Sequence, residues 1–111
     1  MRFLLFTIAL YLCCPSLKAA NAELDSLLTK ANELREFYED FNAISHYKKA
    51  LNYDSTNLNA LFHIAYLYSR QGWLNKVDEE RVVLHRKAMN YAEKAYHHHP
   101  KSFEANLIMA G

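Results

Sequence analysis

The chain has 111 residues, a formal charge of +1 and two cysteines, so it is long enough for one small domain. Basic residues are scattered among acidic ones in runs of no more than two, a pattern that excludes the charge footprint of a nucleic-acid-binding protein. Both cysteines lie near the amino terminus, at positions 13 and 14, so no disulfide framework supports the remainder of the chain.

The amino-terminal segment is typical of a secretory signal peptide. Arg2 gives a positive start, residues 3–14 are uncharged and mostly apolar, and small residues at 20–22 suit a cleavage site. The apolar run is shorter than the roughly 20 residues that a membrane-crossing helix needs. We therefore predict a signal peptide at residues 1–22, cleaved near Ala22, and export to a bacterial periplasm or cell envelope. A retained anchor or lipidation at Cys13 remains an alternative, and contact with a membrane is expected only through one of these.

The predicted mature chain, residues 23–111, carries 11 basic and 12 acidic residues, because cleavage removes Arg2 and Lys18, and its net charge is −1. It has one proline and two glycines, and its apolar residues recur at spacings of three and four without strand-like alternation. These features predict an all-α domain. Turn-forming residues divide it into five helices, at 24–37, 41–53, 57–70, 75–98 and from 102 onward.

Alanines and larger apolar residues recur along these helices in two units. The first unit carries Ala31, Ala43, Tyr47 and Ala50, and the second carries Leu61, Ile64, Ala65 and Tyr68, then Ala88, Ala92, Ala95 and Pro100. This spacing resembles the tetratricopeptide repeat, a helical hairpin of about 34 residues. The resemblance implies a solenoid of about two and a half repeats, with repeat 1 at 24–57, an extended repeat 2 at 58–102 and the start of a third at 103–111. An ordinary bundle of three or four helices is the alternative.

The second unit is longer than the repeat pattern by 11 residues, close to three helical turns, so the added length keeps the apolar face aligned. We expect Asn75 to cap this elongated helix. Its apolar side is predicted to comprise Val77, Leu84, Ala88, Tyr91, Ala92 and Ala95. The segments "LYSRQG" and "YAEKAYHHHPKSFEANLIMA" also resemble bacterial relatives of the regulator of microtubule dynamics proteins, over residues 58–111.

The histidines do not form a predicted metal site. Three consecutive residues, His97, His98 and His99, point about 100° apart on a helix, whereas chelating pairs need spacings of three or four. Their position before Pro100 indicates a helix end, where imidazoles meet the last carbonyls. The isolated His85 is interpreted as a solvated residue. Two others, His46 and His63, are interpreted as polar residues at the surface or between helices.

The sequence does not favour catalysis. There is no phosphate-binding glycine loop and no serine or cysteine nucleophile with a placed base. The carboxylates cluster at what are predicted to be exposed helix ends: Glu36, Glu39, Asp40, Asp78, Glu79 and Glu80. We therefore predict a protein that is not an enzyme and has no cofactor.

The resemblance to tetratricopeptide repeats implies a concave groove lined by the first helix of each repeat. The predicted partner-binding residues in that groove are Asn32, Arg35, Asn59, Phe62, His63, Tyr66 and Arg70. Part of a carboxylate clamp is available in Asn32, Arg35 and Arg70, while Phe62 and Tyr66 suit an apolar or aromatic segment, unless they only cover a neighbouring helix. The expected function is an interaction scaffold for a protein or peptide, with no nucleic acid.

Two alternative functions remain. The apolar residues within 103–110, including Leu107, Ile108 and Met109, need a cover because a stacked repeat cannot bury its own face. This favours a self-assembling structural protein, a homo-oligomer, as the first alternative. Weak metal handling through the histidines is the second.

Overall fold

The computed structural model describes the backbone of residues 2–110 and the side chains of residues 18–110. That part of the chain forms five helices and no strand: α1 (Arg2–Glu36), α2 (Asp40–Leu51), α3 (Leu58–Leu74), α4 (Asp78–His98) and α5 (Phe103–Ala110). The first four helices make two hairpins, α1 with α2 and α3 with α4, which pack together through α2 and α3. The short α5 packs on both α3 and α4. The predicted all-α fold of stacked helical hairpins is confirmed.

The first helix begins at Arg2, far before the predicted start at residue 24, and its carboxyl end lies within one residue of the predicted one. The apolar run predicted as part of a signal peptide, residues 3–14, has its side chains outside the described set. Within the part that is described, no helix combines the length and the apolar character that crossing a membrane requires. Cleavage near Ala22 stays a prediction.

The core is built on alanine at the contacts between helices. Seven alanines that mark the predicted repeat units are all buried: Ala31, Ala43, Ala50, Ala65, Ala88, Ala92 and Ala95. A small side chain lets two helix axes approach closely, and larger residues from neighbouring turns fill the remaining space. The largest of these fillers are Tyr47, Leu61, Ile64 and Leu67, all fully buried. The alanine spacing in the sequence therefore identified the true contact face.

The elongated helix of the second hairpin is confirmed. The 21 residues of α4 compare with 12 in α2, the equivalent helix of the first hairpin. Within the predicted apolar side, Leu84 and Tyr91 are half-buried against the core. Val77 is an exception, because it precedes the helix and is exposed.

The predicted break at Gln71 and Gly72 is wrong, because α3 continues to Leu74. A Cβ atom placed on Gly72 would lie 2.7 Å from Cε1 of the His85 ring on α4, far inside van der Waals contact. The glycine therefore makes room for an imidazole from the facing helix. A glycine inside a helix costs only about 1 kcal/mol relative to alanine, which the surrounding packing of α3 offsets.

Asn75 does not cap the start of α4 as predicted. It ends α3, and α4 begins three residues later with Val77 in the cap position. The Asn75 side chain instead stabilises the connection, since its Oδ1 accepts a hydrogen bond from the Val77 amide at 2.8 Å. Its amide nitrogen donates to the Glu80 carboxylate, also at 2.8 Å. The Asn75 side chain therefore stabilises the turn before α4 rather than the first turn of the helix itself.

The turn between α1 and α2 holds a tyrosine in a conformation that usually requires glycine. Tyr38 has a φ of 60°. Its amide donates to the Arg35 carbonyl at 3.1 Å, and the Glu39 amide donates to the Leu34 carbonyl at 2.9 Å. This pair of hydrogen bonds is the Schellman motif, in which the left-handed residue is most often glycine. Tyr38 therefore carries backbone strain, and its ring lies 5.2 Å from the Arg70 guanidinium.

We expect Tyr38→Gly to be more stable than Tyr38→Ala by about 1 kcal/mol, since both lose the ring but only glycine adopts a positive φ without strain. Urea unfolding followed by circular dichroism measures the difference. Equal stabilities for the two variants would contradict a strained left-handed conformation at this position. Comparison of Tyr38→Ala, which keeps the strained conformation, with the wild type then reports the contribution of the ring on Arg70.

Candidate interaction surfaces

Side chains from α1 and α3 converge on the buried Tyr47 of α2, and we call this group the Tyr47 cluster: Asn32, Arg35, Tyr47, Asn59 and His63. The Tyr47 hydroxyl donates to the Asn32 side-chain oxygen and accepts from Nε of Arg35 at 3.2 Å. The Tyr47 ring stacks on the His63 ring with centroids 5.3 Å apart and planes 11° apart. Burial raises the pKa of Tyr47, so its hydroxyl keeps its proton at neutral pH. One aromatic residue therefore orients polar groups from two different hairpins.

His63 is a neutral hydrogen-bond donor within the Tyr47 cluster. Its Nδ1 lies 2.9 Å from the backbone carbonyl of Asn59, and because a carbonyl only accepts, this nitrogen carries the hydrogen. Burial and the nearby Arg35 charge together lower the pKa of His63. Phe62 meets the imidazole edge-on with centroids 5.0 Å apart. The surface formed by this cluster and the adjacent Phe62 therefore combines the Phe62 ring, the neutral imidazole of His63 and the Arg35 guanidinium.

A second cluster joins the two hairpins around a buried carboxylate. Asp40, at the start of α2, is only 4% exposed and accepts hydrogen bonds from Arg70 and Gln71 of α3, with the Nε of Arg70 at 2.8 Å. A second guanidinium nitrogen of Arg70 contacts the other carboxylate oxygen, which makes the pair bidentate. The Arg70 guanidinium also lies close to Tyr38 and Tyr66, 5.2 and 5.4 Å from their ring centroids. We call these five residues the Asp40 cluster.

The placement of Asp40 corrects the sequence prediction that it belongs to an exposed group of carboxylates. Its neighbours Glu36 and Glu39 are exposed as predicted, and so are Asp78, Glu79 and Glu80. Burial by itself raises the pKa of Asp40, but the hydrogen bonds from Arg70 and Gln71 and the charge of Arg70 outweigh it, so the pKa is lowered. Asp40 is therefore a charged internal link between the two hairpins.

The residues predicted to line one groove divide between these clusters. Asn32, Arg35, Asn59 and His63 belong to the Tyr47 cluster and Phe62 borders it, while Tyr66 and Arg70 belong to the Asp40 cluster. Among residues 18–110 the Arg35 guanidinium has one hydrogen bond, from Nε to Tyr47. The Arg70 guanidinium is held by Asp40. Of the two arginines suggested for a carboxylate clamp, Arg35 therefore keeps both terminal nitrogens for a ligand, whereas the charge of Arg70 is already paired with Asp40.

A groove of about 610 Å³ lies between α3 and α4, and the sequence analysis did not identify it. We call it the α3–α4 groove. It is lined by three buried alanines, Ala65, Ala88 and Ala92, and by Tyr66, Ser69, Arg70, Trp73, Leu74, His85, Met89 and Ile108 of α5. Trp73 is 73% exposed at its rim. Tyr66, Arg70 and Trp73 are spaced by four and three residues, which places them on one face of a continuous helix. The sequence analysis missed this face because it ended the helix before Trp73.

His85 lies in this groove and is half-buried, which corrects its interpretation as a solvated residue. The imidazole fills the space that Gly72 leaves on α3, and its ring meets Trp73 edge-on with centroids 6.0 Å apart. A sequence pattern could not reveal this contact, because it depends on the register between two helices.

The predicted helix end at the three histidines is confirmed, since α4 ends at His98 and His99 is its capping residue. His97 and His98 are exposed, while the His99 ring hydrogen-bonds the Thr56 carbonyl in the turn before α3. Likewise, the His46 ring hydrogen-bonds the Asn42 carbonyl one turn away. Within the part of the chain that the structure describes, no three histidine, cysteine, aspartate or glutamate side chains are grouped to hold a metal ion.

The fold and these surfaces define an all-α protein of stacked helical hairpins with one elongated helix. Residues 22–110 match the family described as regulator of microtubule dynamics protein 1-3. The match covers most of the chain, so the chain belongs to this family, in agreement with the resemblance noted in its second half. Comparisons with curated proteins and with solved structures gave no significant match.

Proposed function

We propose that the protein is a non-enzymatic interaction scaffold that binds a peptide or protein segment on the surface shared by α1 and α3. The binding residues in this proposal are the predicted ones: Asn32, Arg35, Asn59, Phe62, His63, Tyr66 and Arg70. The observation that carries the proposal is the Tyr47 cluster, in which one buried hydroxyl orients Asn32 and Arg35 while the same ring stacks on His63. Groups that are already ordered lose less conformational entropy when a ligand binds.

The finer assignments belong to the same proposal. We assign the hairpins to the tetratricopeptide type, because small residues recur at the helix contacts of both hairpins. We also propose export after cleavage near Ala22, which rests on the charge and hydropathy pattern of residues 1–22. The family description refers to microtubule dynamics. An exported protein does not meet microtubules, so the proposed partner is a different protein or peptide.

The chemistry of this surface favours a ligand with one carboxylate and one apolar side chain. Arg35 offers guanidinium nitrogens, which bind carboxylates in a bidentate geometry. Phe62 and Tyr66 lie one helical turn apart on α3, so they offer adjacent rings to an apolar group. His63 lies between them in sequence and is neutral, and therefore adds no second positive charge. Arg70 contributes mainly by holding Tyr66 against its guanidinium.

Selection from a random peptide library displayed on phage tests the proposal. We expect wild-type protein to enrich a motif that pairs an acidic with an apolar residue. A synthetic peptide of that motif should bind Arg35→Gln and Phe62→Ala at least about tenfold more weakly, a cost of about 1.4 kcal/mol for each contact. Titration by fluorescence anisotropy gives these affinities.

Lys101→Ala is a suitable control, since Lys101 is exposed and lies in the turn before α5. It should bind the peptide as the wild type does. Unchanged unfolding midpoints for all three variants would show that lost binding is not lost structure. Failure to enrich any motif above an unrelated helical protein, or equal binding by Phe62→Ala, would argue against this function.

A further inference from the structure

Three lysines from α2 and α4 surround a pair of tyrosine rings, and we call these five residues the lysine–tyrosine cluster: Lys48, Tyr68, Lys87, Tyr91 and Lys94. The centroids of the two rings are 6.1 Å apart. The Lys48 ammonium lies 5.1 Å from the centroid of Tyr68 and 5.9 Å from that of Tyr91. Lys87 places its ammonium 5.6 Å from the Tyr68 ring, and Lys94 places its own 5.0 Å from the Tyr91 ring. One pair of aromatic rings therefore gathers three positive charges.

The charges of this cluster have no carboxylate partner within residues 18–110. The ion pairs in that part of the chain use three other basic residues: Lys30, Arg70 and Arg81. The sequence of α2 has no acidic residue after Asp40, and that of α3 has none. Glu93 precedes Lys94 on α4, but successive residues of a helix point about 100° apart. Because like charges repel one another, a bound anion stabilises this arrangement.

The hydroxyl of Tyr68 adds a hydrogen-bond donor to the cluster. An ammonium only donates, so Lys48 donates to the Tyr68 oxygen, at a distance of 2.6 Å. The hydrogen of the hydroxyl is then directed elsewhere, and among residues 18–110 the structure shows no acceptor for it. Tyr68 is only 4% exposed, and a nearly buried polar group normally uses its hydrogen-bonding capacity. The exposed Lys48 ends at this hydroxyl, so a ligand that contacts the ammonium also reaches the hydroxyl.

The donors of the cluster suit a phosphate group. The hydrogen bond with Tyr68 raises the pKa of Lys48 and outweighs burial, so the ammonium stays charged and keeps two N–H groups for a ligand. A phosphate group carries a charge of about −1.5 to −2 at neutral pH and has three strong acceptor oxygens. A single carboxylate has one charge and two oxygens, so it matches fewer of these donors. Lysine binds phosphate as a point charge and does not need the planar fork of arginine.

We propose that the lysine–tyrosine cluster is a binding site for a phosphate group. Lys48 and the Tyr68 hydroxyl donate hydrogen bonds to the phosphate oxygens, while Lys87 and Lys94 neutralise the remaining charge. The same chemistry recognises a free phosphate ion and the phosphate of an anionic lipid headgroup, and separate titrations distinguish the two sources. The site goes beyond the peptide-binding surface of α1 and α3, which uses none of these five residues.

Titration of the isotope-labelled full chain with sodium phosphate, followed by nuclear magnetic resonance at constant ionic strength, tests the proposal. The amide resonances of the cluster and its immediate neighbours should shift and saturate, and sodium chloride at the same ionic strength should not shift them. Lys48→Gln should weaken phosphate binding by about tenfold, because it removes a hydrogen bond from a charged donor. Tyr68→Phe retains the ring and removes only the hydroxyl, so it should weaken binding by about threefold.

Lys49→Gln is the matched control, since it makes the same charge change at the next, exposed residue of α2. Lys49 points about 100° away from Lys48, so this variant should bind phosphate within about twofold of the wild type. Unfolding midpoints measured without phosphate show whether each variant is folded. Lys87→Gln removes a charge from an exposed side chain without touching the core, and should also weaken binding in a fully folded protein.

The second titration uses phosphatidylcholine vesicles with and without phosphatidic acid. Cosedimentation that requires phosphatidic acid and is lost in Lys48→Gln assigns the phosphate to a lipid headgroup, whereas phosphate binding without such cosedimentation assigns it to a soluble ligand. Resonances that respond equally to phosphate and chloride overturn the proposal. So does equal weakening by Lys48→Gln and Lys49→Gln. A hexaglutamate peptide that shifts the cluster resonances when phosphate does not would assign the surface to an acidic protein segment and overturn it as well.

Discussion

Asp40→Ala is expected to lower the free energy of unfolding by about 3–5 kcal/mol, because it leaves the positive charge of Arg70 half-buried and without its partner. The same change removes the acceptor of the Gln71 side-chain amide. These hydrogen bonds connect the first residue of α2 to the last part of α3, so the loss falls on the contact between the hairpins. Urea unfolding followed by circular dichroism measures it.

The neighbouring carboxylate provides the control for this prediction. Glu39 is exposed and only accepts a hydrogen bond from Asn42 at 3.2 Å, so Glu39→Ala should change stability by less than about 0.5 kcal/mol. Arg70→Met should cost about as much as Asp40→Ala, and the double variant should cost clearly less than the two together. Additive losses would show that the two side chains act independently.

The same ion pair gives stability a definite dependence on pH. The pKa of Asp40 is lower in the folded protein than the value of about 3.9 in an unfolded chain. The stability that its charge contributes is therefore complete above pH about 4 and is lost as the pH falls through the lower folded-state pKa. The difference in unfolding free energy between wild type and Asp40→Asn should shrink in that acidic range. A constant difference down to pH 2 would contradict the lowered pKa.

The overall fold could be predicted because its determinants are periodic. Recurring alanines and apolar residues spaced by three and four indicate which face of each helix is buried. These patterns can be recognised without knowing which helices are neighbours. The elongated α4 followed from the same count. Gly72 led to a wrong prediction of a helix break, because the glycine makes room for the His85 ring of another helix rather than forming a turn.

The candidate surfaces were less predictable than the fold for a related reason. Asp40 at a helix start normally meets water and the helix dipole, and only the approach of α3 makes it an internal residue. The turn after α1 was predicted, but its left-handed residue is Tyr38 rather than the usual glycine, so the sequence did not show which residue takes that conformation. Trp73 and Met89 line the same groove only because of the register between α3 and α4. Such pairings depend on tertiary contacts that a single chain pattern does not encode.

Tyr47→Ala is expected to destabilise the protein by about 3–5 kcal/mol, since it removes a fully buried aromatic ring and leaves a cavity. Tyr47→Phe retains the ring and its stacking on His63 but removes the hydroxyl. Asn32 and Arg35 are only half-buried and can bind water instead, so this variant should lose only about 1 kcal/mol. Urea unfolding distinguishes the two, and equal losses would show that the hydroxyl, rather than the ring, dominates.

Tyr47→Phe also tests whether the cluster orders the proposed binding surface. Without the hydroxyl, Asn32 and Arg35 are free to move, and a ligand must immobilise them at about 0.5–1.5 kcal/mol for each side chain. Affinity for the selected peptide should therefore fall on the order of tenfold in a variant that remains folded. His46→Ala, which removes a half-buried ring bonded only within α2, is the control and should keep full affinity. Unchanged peptide binding by Tyr47→Phe would mean that the Tyr47 hydroxyl stabilises the fold without preparing the surface for a ligand.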